Sequence, residues 1–276
     1  MPYKILEKRK LADRVYSMVV EAPRLAKVRR AGQFVIVRPK EASERIPLTM
    51  VGSDPRGGVK LIFQTVGYTT MELASLEEGG FVHDLVGPLG QPTEIPENGS
   101  VVCVGGGIGT APILPIASAL KAAGNRVLGI IGARTRELLI LESEMLEVCH
   151  ELKIATDDGS YGEKGFVTTV LKKELETGKV DHVYIVGPIP MMKACAQLVK
   201  EYNVPATASL NSIMIDGTGM CGGGCRVTVG GKIRYTCVDG PEFPADQIDF
   251  DELRRRGGIY REYEHKCRLR AEEEGL

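Results

Sequence analysis

The sequence predicts an α/β plus all-β protein: an antiparallel β-barrel, then a parallel-sheet α/β domain, then a small C-terminal lobe built around cysteines. Three observations predict it. Residues 1 to about 98 fall into short alternating apolar segments separated by turn residues. From Ser100 strand-like and helix-like patterns alternate, as they do around a parallel sheet. Finally, Cys221, Cys225 and Cys237 crowd into one glycine-rich stretch, a pattern of metal ligation rather than of disulfides.

In the first segment the strand candidates are 14–20, 33–38, 48–51, 59–64 and 81–86, punctuated by Gly32, by the 54–58 turn and by Gly87-Pro88-Leu89-Gly90. A helix-like pattern at 71–76 interrupts them. The α/β segment, 99–207, opens with a strand at 101–104 and a helix at 113–123. Further strands are expected at 126–131, 152–155 and 182–186, with helices at 137–149, 165–174 and 191–202. The lobe, 208–248, carries a two-stranded signal at 226–235. The remaining 249–276 is mostly charged and reads as a solvated helical tail.

Composition removes several function classes. Lys+Arg 35 against Asp+Glu 36 leaves a formal charge of -1, without the basic footprint of general nucleic-acid binding. No run of about 18 uncharged apolar residues would cross a membrane, and the charged start lacks the apolar core of a secretory leader, so the cytoplasm is the expected location. Cys103, Cys149, Cys195 and Cys267 sit among apolar or charged neighbours and read as packing residues. His83, His150, His182 and His265 form no motif, and no acid–base constellation is expected.

The run Gly105-Gly106-Gly107-Ile108-Gly109-Thr110-Ala111-Pro112 follows a strand and opens a helix. Backbone N–H groups and the helix N-terminus can there face a pyrophosphate that bulky side chains would block. Gly106, Gly107, Gly109 and Thr110 are the candidate contacts. A second sharp strand-to-helix turn, Gly187-Pro188, offers a surface against which a planar ring can rest. Both loops emerge at carboxyl ends of strands, where ligands bind in such sheets. Arg134, beyond the second strand, is a candidate cofactor contact; with Arg136 it can favour a 2′-phosphate, which leaves NADP(H) open beside NAD(H).

In Arg45-Ile46-Pro47-Leu48-Thr49 a fixed cation precedes a hydroxyl by four residues at the start of a strand. Arg45 can pair with a phosphate bidentately and Thr49 can hydrogen-bond a ring heteroatom. Gly67, Thr69 and Thr70, before the helix-like 71–76, suit a second phosphate contact. In the lobe, Asp216, Cys221, Cys225 and Cys237 approximate the C-x4-C-x2-C layout of plant-type ferredoxins with its distant fourth cysteine. Asp216 stands at the first cysteine and the central spacing is C-x3-C. A [2Fe-2S] cluster is the first reading of this set; zinc held by three thiolates and one carboxylate, in a nucleotide-binding regulatory module, is the second.

Taken in order, Arg45-x-Pro47-Leu48-Thr49, Gly67-x-x-Thr70, Gly87-Pro88-Leu89-Gly90, the 105–112 glycine run and Gly187-Pro188 resemble the ferredoxin-reductase-like flavoproteins. Pro47 stands where that pattern usually has an aromatic. The resemblance implies FAD or FMN on the barrel, FAD being the expectation for this chain, with Thr49 near flavin N5, and a nicotinamide presented to it by the α/β domain. With the cluster motif added, the chain resembles the electron-transfer subunits of dihydroorotate dehydrogenase. It resembles more closely the small subunits of NADH-dependent ferredoxin-NADP oxidoreductase, also called sulfide dehydrogenase β subunits. That resemblance implies an NAD(P)-dependent flavin and iron-sulfur oxidoreductase subunit. Its partner would be a large subunit carrying another flavin and 4Fe-4S clusters, and the complex would take part in electron bifurcation with electrons flowing through cluster and FAD to NAD.

Overall fold

The computed structural model describes residues 2–275. Seven strands form the first, antiparallel sheet: β1 (Tyr3–Ala12), β2 (Val15–Glu21), β3 (Phe34–Arg38), β4 (Ile46–Asp54), β5 (Gly58–Gln64), β6 (Phe81–Val82) and β7 (Asp84–Leu89). Their order is β6-β1-β2-β5-β4-β3-β7. The two edge strands, β6 and β7, are consecutive in the chain with only His83 between them, so the sheet curls round until its edges meet. Helix α1 (Pro23–Val28) follows β2, and α2 (Tyr68–Ser75) follows β5.

Alternation places Ile5, Met18, Val35, Val37, Met50 and Leu61 in one buried barrel core. Strand β1 escapes the sequence reading because its Lys and Glu residues mask the periodicity. It lies beside the two-residue β6, so its outer side chains stay partly solvated.

The second sheet contains β8 (Ser100–Gly106), β9 (Arg126–Ala133), β10 (Glu151–Thr156), β11 (Glu163–Lys164), β12 (His182–Val186) and β13 (Ala206–Ser209). Its order is β11-β10-β9-β8-β12-β13, all parallel. Helices α3 (Thr110–Ala122), α4 (Glu142–Val148), α5 (Val167–Glu176) and α6 (Ile189–Glu201) supply the crossovers. The order reverses between β8 and β12, and a crevice opens at the carboxyl ends of these two strands. Two apolar clusters, one containing Val102, Ile130, Val183 and Met192 and the other Val101, Ile113, Val127 and Tyr184, fill the sheet's opposite faces.

The helix expected over 137–149 is confined to α4. Before it, Arg136–Leu138 makes a 3-10 turn and Leu141 adopts φ 60. Ile140 and Leu141 are buried with Val15, Val51 and Ile62 of the barrel, a tertiary contact that overrides the local helical pattern.

Beyond β13 come the hairpin β14 (Arg226–Val229) and β15 (Lys232–Tyr235), then β16 (Glu242–Pro244), which pairs antiparallel with β13 and so extends the parallel sheet. The tail forms two helices, α7 (Phe250–Gly257) and α8 (Arg261–Glu273), divided at the poor helix formers Gly257 and Gly258. It is not wholly solvated: Phe250, Leu253 and Ala271 are buried. Among the described residues no helix is long and apolar enough to cross a membrane.

Leu61 is fully buried at the centre of the barrel. Leu61→Ala should destabilise that sheet by about 2–5 kcal/mol, the usual range for a truncated core leucine, read as a lower midpoint in urea unfolding followed by circular dichroism.

Candidate cofactor site

A cavity of about 1750 Å³ lies where the barrel, the parallel sheet and the cysteine lobe meet. From the barrel, β4 contributes Pro47, Leu48 and Thr49, with Arg45 immediately before the strand. Thr49 pairs with Phe34 of β3, and Arg45 is exposed, with no ion-pair partner among the described residues. Thr70 also lines the cavity, but its hydroxyl is already engaged. It donates to the Gly67 carbonyl at 2.8 Å and accepts from the amides of Val66 and Gly67 at 3.0 and 3.1 Å. The first intrahelical bond of α2 runs from the Met71 amide to the Gly67 carbonyl, so the amides of Tyr68 to Thr70 precede it and can meet an anion. Thr69 is buried, and neither it nor Gly67 reaches the cavity surface.

On the parallel-sheet side, Gly106, Gly107 and Gly109 line the cavity while Thr110 is buried at the first position of α3. Two of these glycines have a demonstrable reason. Gly107 holds φ +56 and its missing Cβ would face open space, whereas a Cβ on Gly109 would run into the Val186 carbonyl oxygen. The second contact lets the loops after β8 and β12 lie side by side, and Gly187 and Pro188 line the same cavity.

Arg134 faces the cavity beyond β9; Arg136 does not line it but lies over the Tyr161 ring, 4.8 Å from its centroid. Asp157, beyond β10, lines the cavity and was not singled out in the sequence. Its signal was available, an acidic residue opening an Asp-Asp-Gly turn at the carboxyl end of an expected strand. Tyr260 and Tyr263 line it as well, and nothing in a charged tail marked them out.

Cys225 and Cys237 are buried with their Sγ atoms 3.1 Å apart, packed with Phe34, Ile36 and Met214. Burial, then the adjacent Cys225 thiol, pushes the Cys237 thiol up to about 12. Asp216 accepts from the amides of Thr218 at 3.0 Å and Cys221 at 2.8 Å. Desolvation opposes ionisation, but the hydrogen bonds of that loop together outweigh it and hold the carboxyl below the usual range. Cys221 is exposed, and among the described residues no three candidate ligands stand close enough to hold a metal ion. The structure therefore brings together two of the four candidate ligands and keeps Asp216 bonded within its own loop. The donor set nonetheless suits an iron-sulfur core: two buried thiols in contact can both be held as thiolates by a shared metal centre. The loop bearing Cys221 is glycine-rich, and Arg256 of α7 donates to its Gly223 carbonyl at 2.6 Å.

Two of the histidines serve structure. His182 lies 2.9 Å from Thr207 Oγ1 and is kept neutral to lower pH by burial; His150 Nδ1 accepts from the Val127 amide at 3.1 Å. Cys103, Cys149 and Cys195 are buried in the sheet's apolar clusters.

Glu242 of β16 is enclosed where barrel, sheet and lobe meet, and Thr93 Oγ1 donates to its Oε1 at 2.7 Å. Burial pushes its carboxyl up to about 7, against the Thr93 bond, which lowers it.

The comparisons with known proteins agree with this arrangement. Residues 103–197 match the oxidoreductase NAD-binding domain, and residues 211–249 match the iron-sulfur cluster binding domain of dihydroorotate dehydrogenase B. The chain is 47% identical over 261 residues to a dihydroorotate dehydrogenase B (NAD(+)) electron transfer subunit homolog of Thermotoga maritima, covering 94% of this chain and 92% of that one. It is 34% identical to the dihydroorotate dehydrogenase B (NAD(+)) electron transfer subunit of Desulforamulus reducens, covering 89% and 96% of the two. A chain of the solved NADH-dependent reduced ferredoxin-NADP oxidoreductase, a structure concerned with flavin-based electron bifurcation, superposes with a TM-score of 0.92. It is 45% identical and covers 97% of each chain.

Because the folded pKa of Glu242 lies above that of an unfolded glutamate, its contribution is fully present below about pH 4.5 and fades as pH rises through about 7. Glu242→Gln, which keeps the acceptor for Thr93, should remove that fall: the variant's thermal midpoint should exceed that of the native chain at pH 8 and converge with it near pH 4.5.

Proposed function

This chain belongs to the family of dihydroorotate dehydrogenase B electron-transfer subunits and their homologues, and we propose that it is the electron-transfer subunit of a bifurcating NADH-dependent ferredoxin-NADP oxidoreductase. It exchanges hydride between NAD(H) and FAD, and single electrons with a large subunit through a [2Fe-2S] cluster. The observation that carries this reading is the single cavity shared by β4, the glycine loop and the cysteine lobe. It is supported by the 45% identity, over 97% of each chain, to a protein of that description.

Residues 1–98 are assigned to the flavin, 99–207 to the nicotinamide nucleotide, 208–248 to the cluster and 249–276 to the tail. A flavin bound here supplies the conversion between two-electron hydride chemistry and one-electron transfer. Arg45 and the N-terminal amides of α2 neutralise its pyrophosphate, the helix end adding a favourable dipole. Thr49 donates or accepts at the ring edge near N5, with Pro47 and Leu48 forming the wall beside it. The glycine loop at Gly106, Gly107 and Gly109 admits the pyrophosphate of NAD(H) against backbone amides. Arg134 and Asp157 stand at its ribose, and Gly187-Pro188 leaves the nicotinamide a flat backbone surface. Cys225 and Cys237 would hold the cluster, with Cys221 and Asp216 as the candidates for its remaining ligand positions. The partner is a large flavin and 4Fe-4S subunit in the cytoplasm.

A second reading, the electron-transfer subunit of a dihydroorotate dehydrogenase, is favoured by the kinship of the matched cluster domain. Co-purification separates the two, since the large subunits differ.

Cys225→Ser should abolish the visible absorbance and electron paramagnetic resonance of the cluster in anaerobically purified protein while the flavin bands remain. Zinc in place of iron on metal analysis would overturn the redox reading. In stopped-flow reduction, NADH should outpace NADPH, and a strong preference for NADPH would overturn the choice of NAD(H).

A further inference from the structure

The tail does not trail into solvent: α8 returns from the cysteine lobe to the barrel and packs on α2, the helix whose N-terminus faces the cavity. Its far end is clasped. Tyr68 Oη donates to Glu274 Oε2 at 2.6 Å, Arg270 Nε donates to Glu274 Oε1 at 2.7 Å, and the Arg270 guanidinium stands 5.3 Å from the centroid of the Tyr68 ring. Ala271, facing inward between these contacts, is fully buried.

The near end of α8 lines the cavity instead of filling it. Tyr263 shares the lining with Glu44 and Arg45, and 59% of it remains accessible. Glu264, next along the helix, shares that lining. An aromatic face left accessible in this way offers a stacking surface.

Strand β4 gives the direction in which a ligand runs. Thr49 pairs with Phe34, which packs on the cysteines, so the ring end of the ligand lies there. Arg45 stands four residues away, roughly 13 Å along extended chain, and marks the phosphates. Whatever lies beyond the phosphates reaches Glu44 and Tyr263. In FAD that portion is the adenosine; FMN ends at its phosphate.

We propose that α8 is a strap across the flavin site and that the Tyr263 ring stacks on the adenine of FAD, so that the C-terminal helix selects FAD over FMN. This rests on the flavin reading of the cavity. The clasp of Tyr68 by Glu274 and Arg270 holds the strap closed, and release of FAD requires it to lift.

The test titrates the full-length apoprotein with FAD and with FMN, following flavin fluorescence, for the native chain and for Tyr263→Ala, Tyr263→Phe and Tyr68→Phe. Stacking of a base on an aromatic side chain predicts that Tyr263→Ala weakens FAD binding about tenfold and leaves FMN binding within twofold. Tyr263→Phe, which keeps the ring, should retain FAD affinity, and Tyr68→Phe, which removes one of the two side-chain bonds to Glu274, should speed FAD release. Equal losses for FAD and FMN, or an unchanged FAD affinity in Tyr263→Ala, would overturn the assignment. A Tyr263→Ala variant that loses only its association with the large subunit would do the same, placing α8 at the partner interface. If the native chain binds neither flavin, the flavin reading itself fails, an outcome distinct from failure of the strap.

Discussion

Strand β3 is buried on both faces, and the rest of the arrangement depends on it. Val35 and Val37 fill the barrel core, while Phe34 and Ile36 pack with Met214, Cys225 and Cys237. One strand is thus wall to two compartments, which explains its uninterrupted apolar run where a barrel strand with a solvated face would alternate. The approach is close enough to constrain the lobe: Gly217 holds φ +73, and a Cβ there would lie 2.7 Å from Ile36. A cluster held at those thiols is therefore fixed relative to β4 by packing, with no flexible linker between them.

The parallel sheet meets the same cavity through its topology. Reversal of strand order between β8 and β12 opens a crevice at their carboxyl ends, and the absence of side chains at Gly109 and Gly187 lets the two exit loops approach. Apolar contact of Ile140 and Leu141 with the barrel then orients the sheet so that this crevice faces β4. On the third side, the hydrogen bond from Thr93 to Glu242 ties the segment joining barrel and sheet to β16. Three separate contacts thus hold the two sheets and the lobe around one cavity.

Much of the site was legible because it is local. The glycine run needed no tertiary knowledge: a strand, small residues and a helix start are adjacent in sequence, and Gly106, Gly107 and Gly109 all reach the cavity. Pro47, Leu48 and Thr49 lie on one strand with Arg45 just before it, so their order carried over directly. Gly67, Thr69 and Thr110 were read from the same kind of pattern but stand behind the surface, because which residue of a helix's first turn faces a ligand depends on how that helix packs. Thr70 illustrates the point: its hydroxyl closes its own helix start, leaving backbone amides as the donors.

By itself the sequence determined the succession of barrel, parallel sheet and cysteine lobe, the two glycine turns and the chemistry of the thiol set, since each rests on periodicity or spacing within a few residues. Tertiary structure alone decided that Cys225 and Cys237 meet while Asp216 turns to the amides of its own loop, that Glu242 is enclosed, and that the charged tail folds back on α2. The physical reason is the same in each case. These outcomes depend on contacts between segments tens to hundreds of residues apart, where burial and competition for hydrogen bonds, not local propensity, choose the partner.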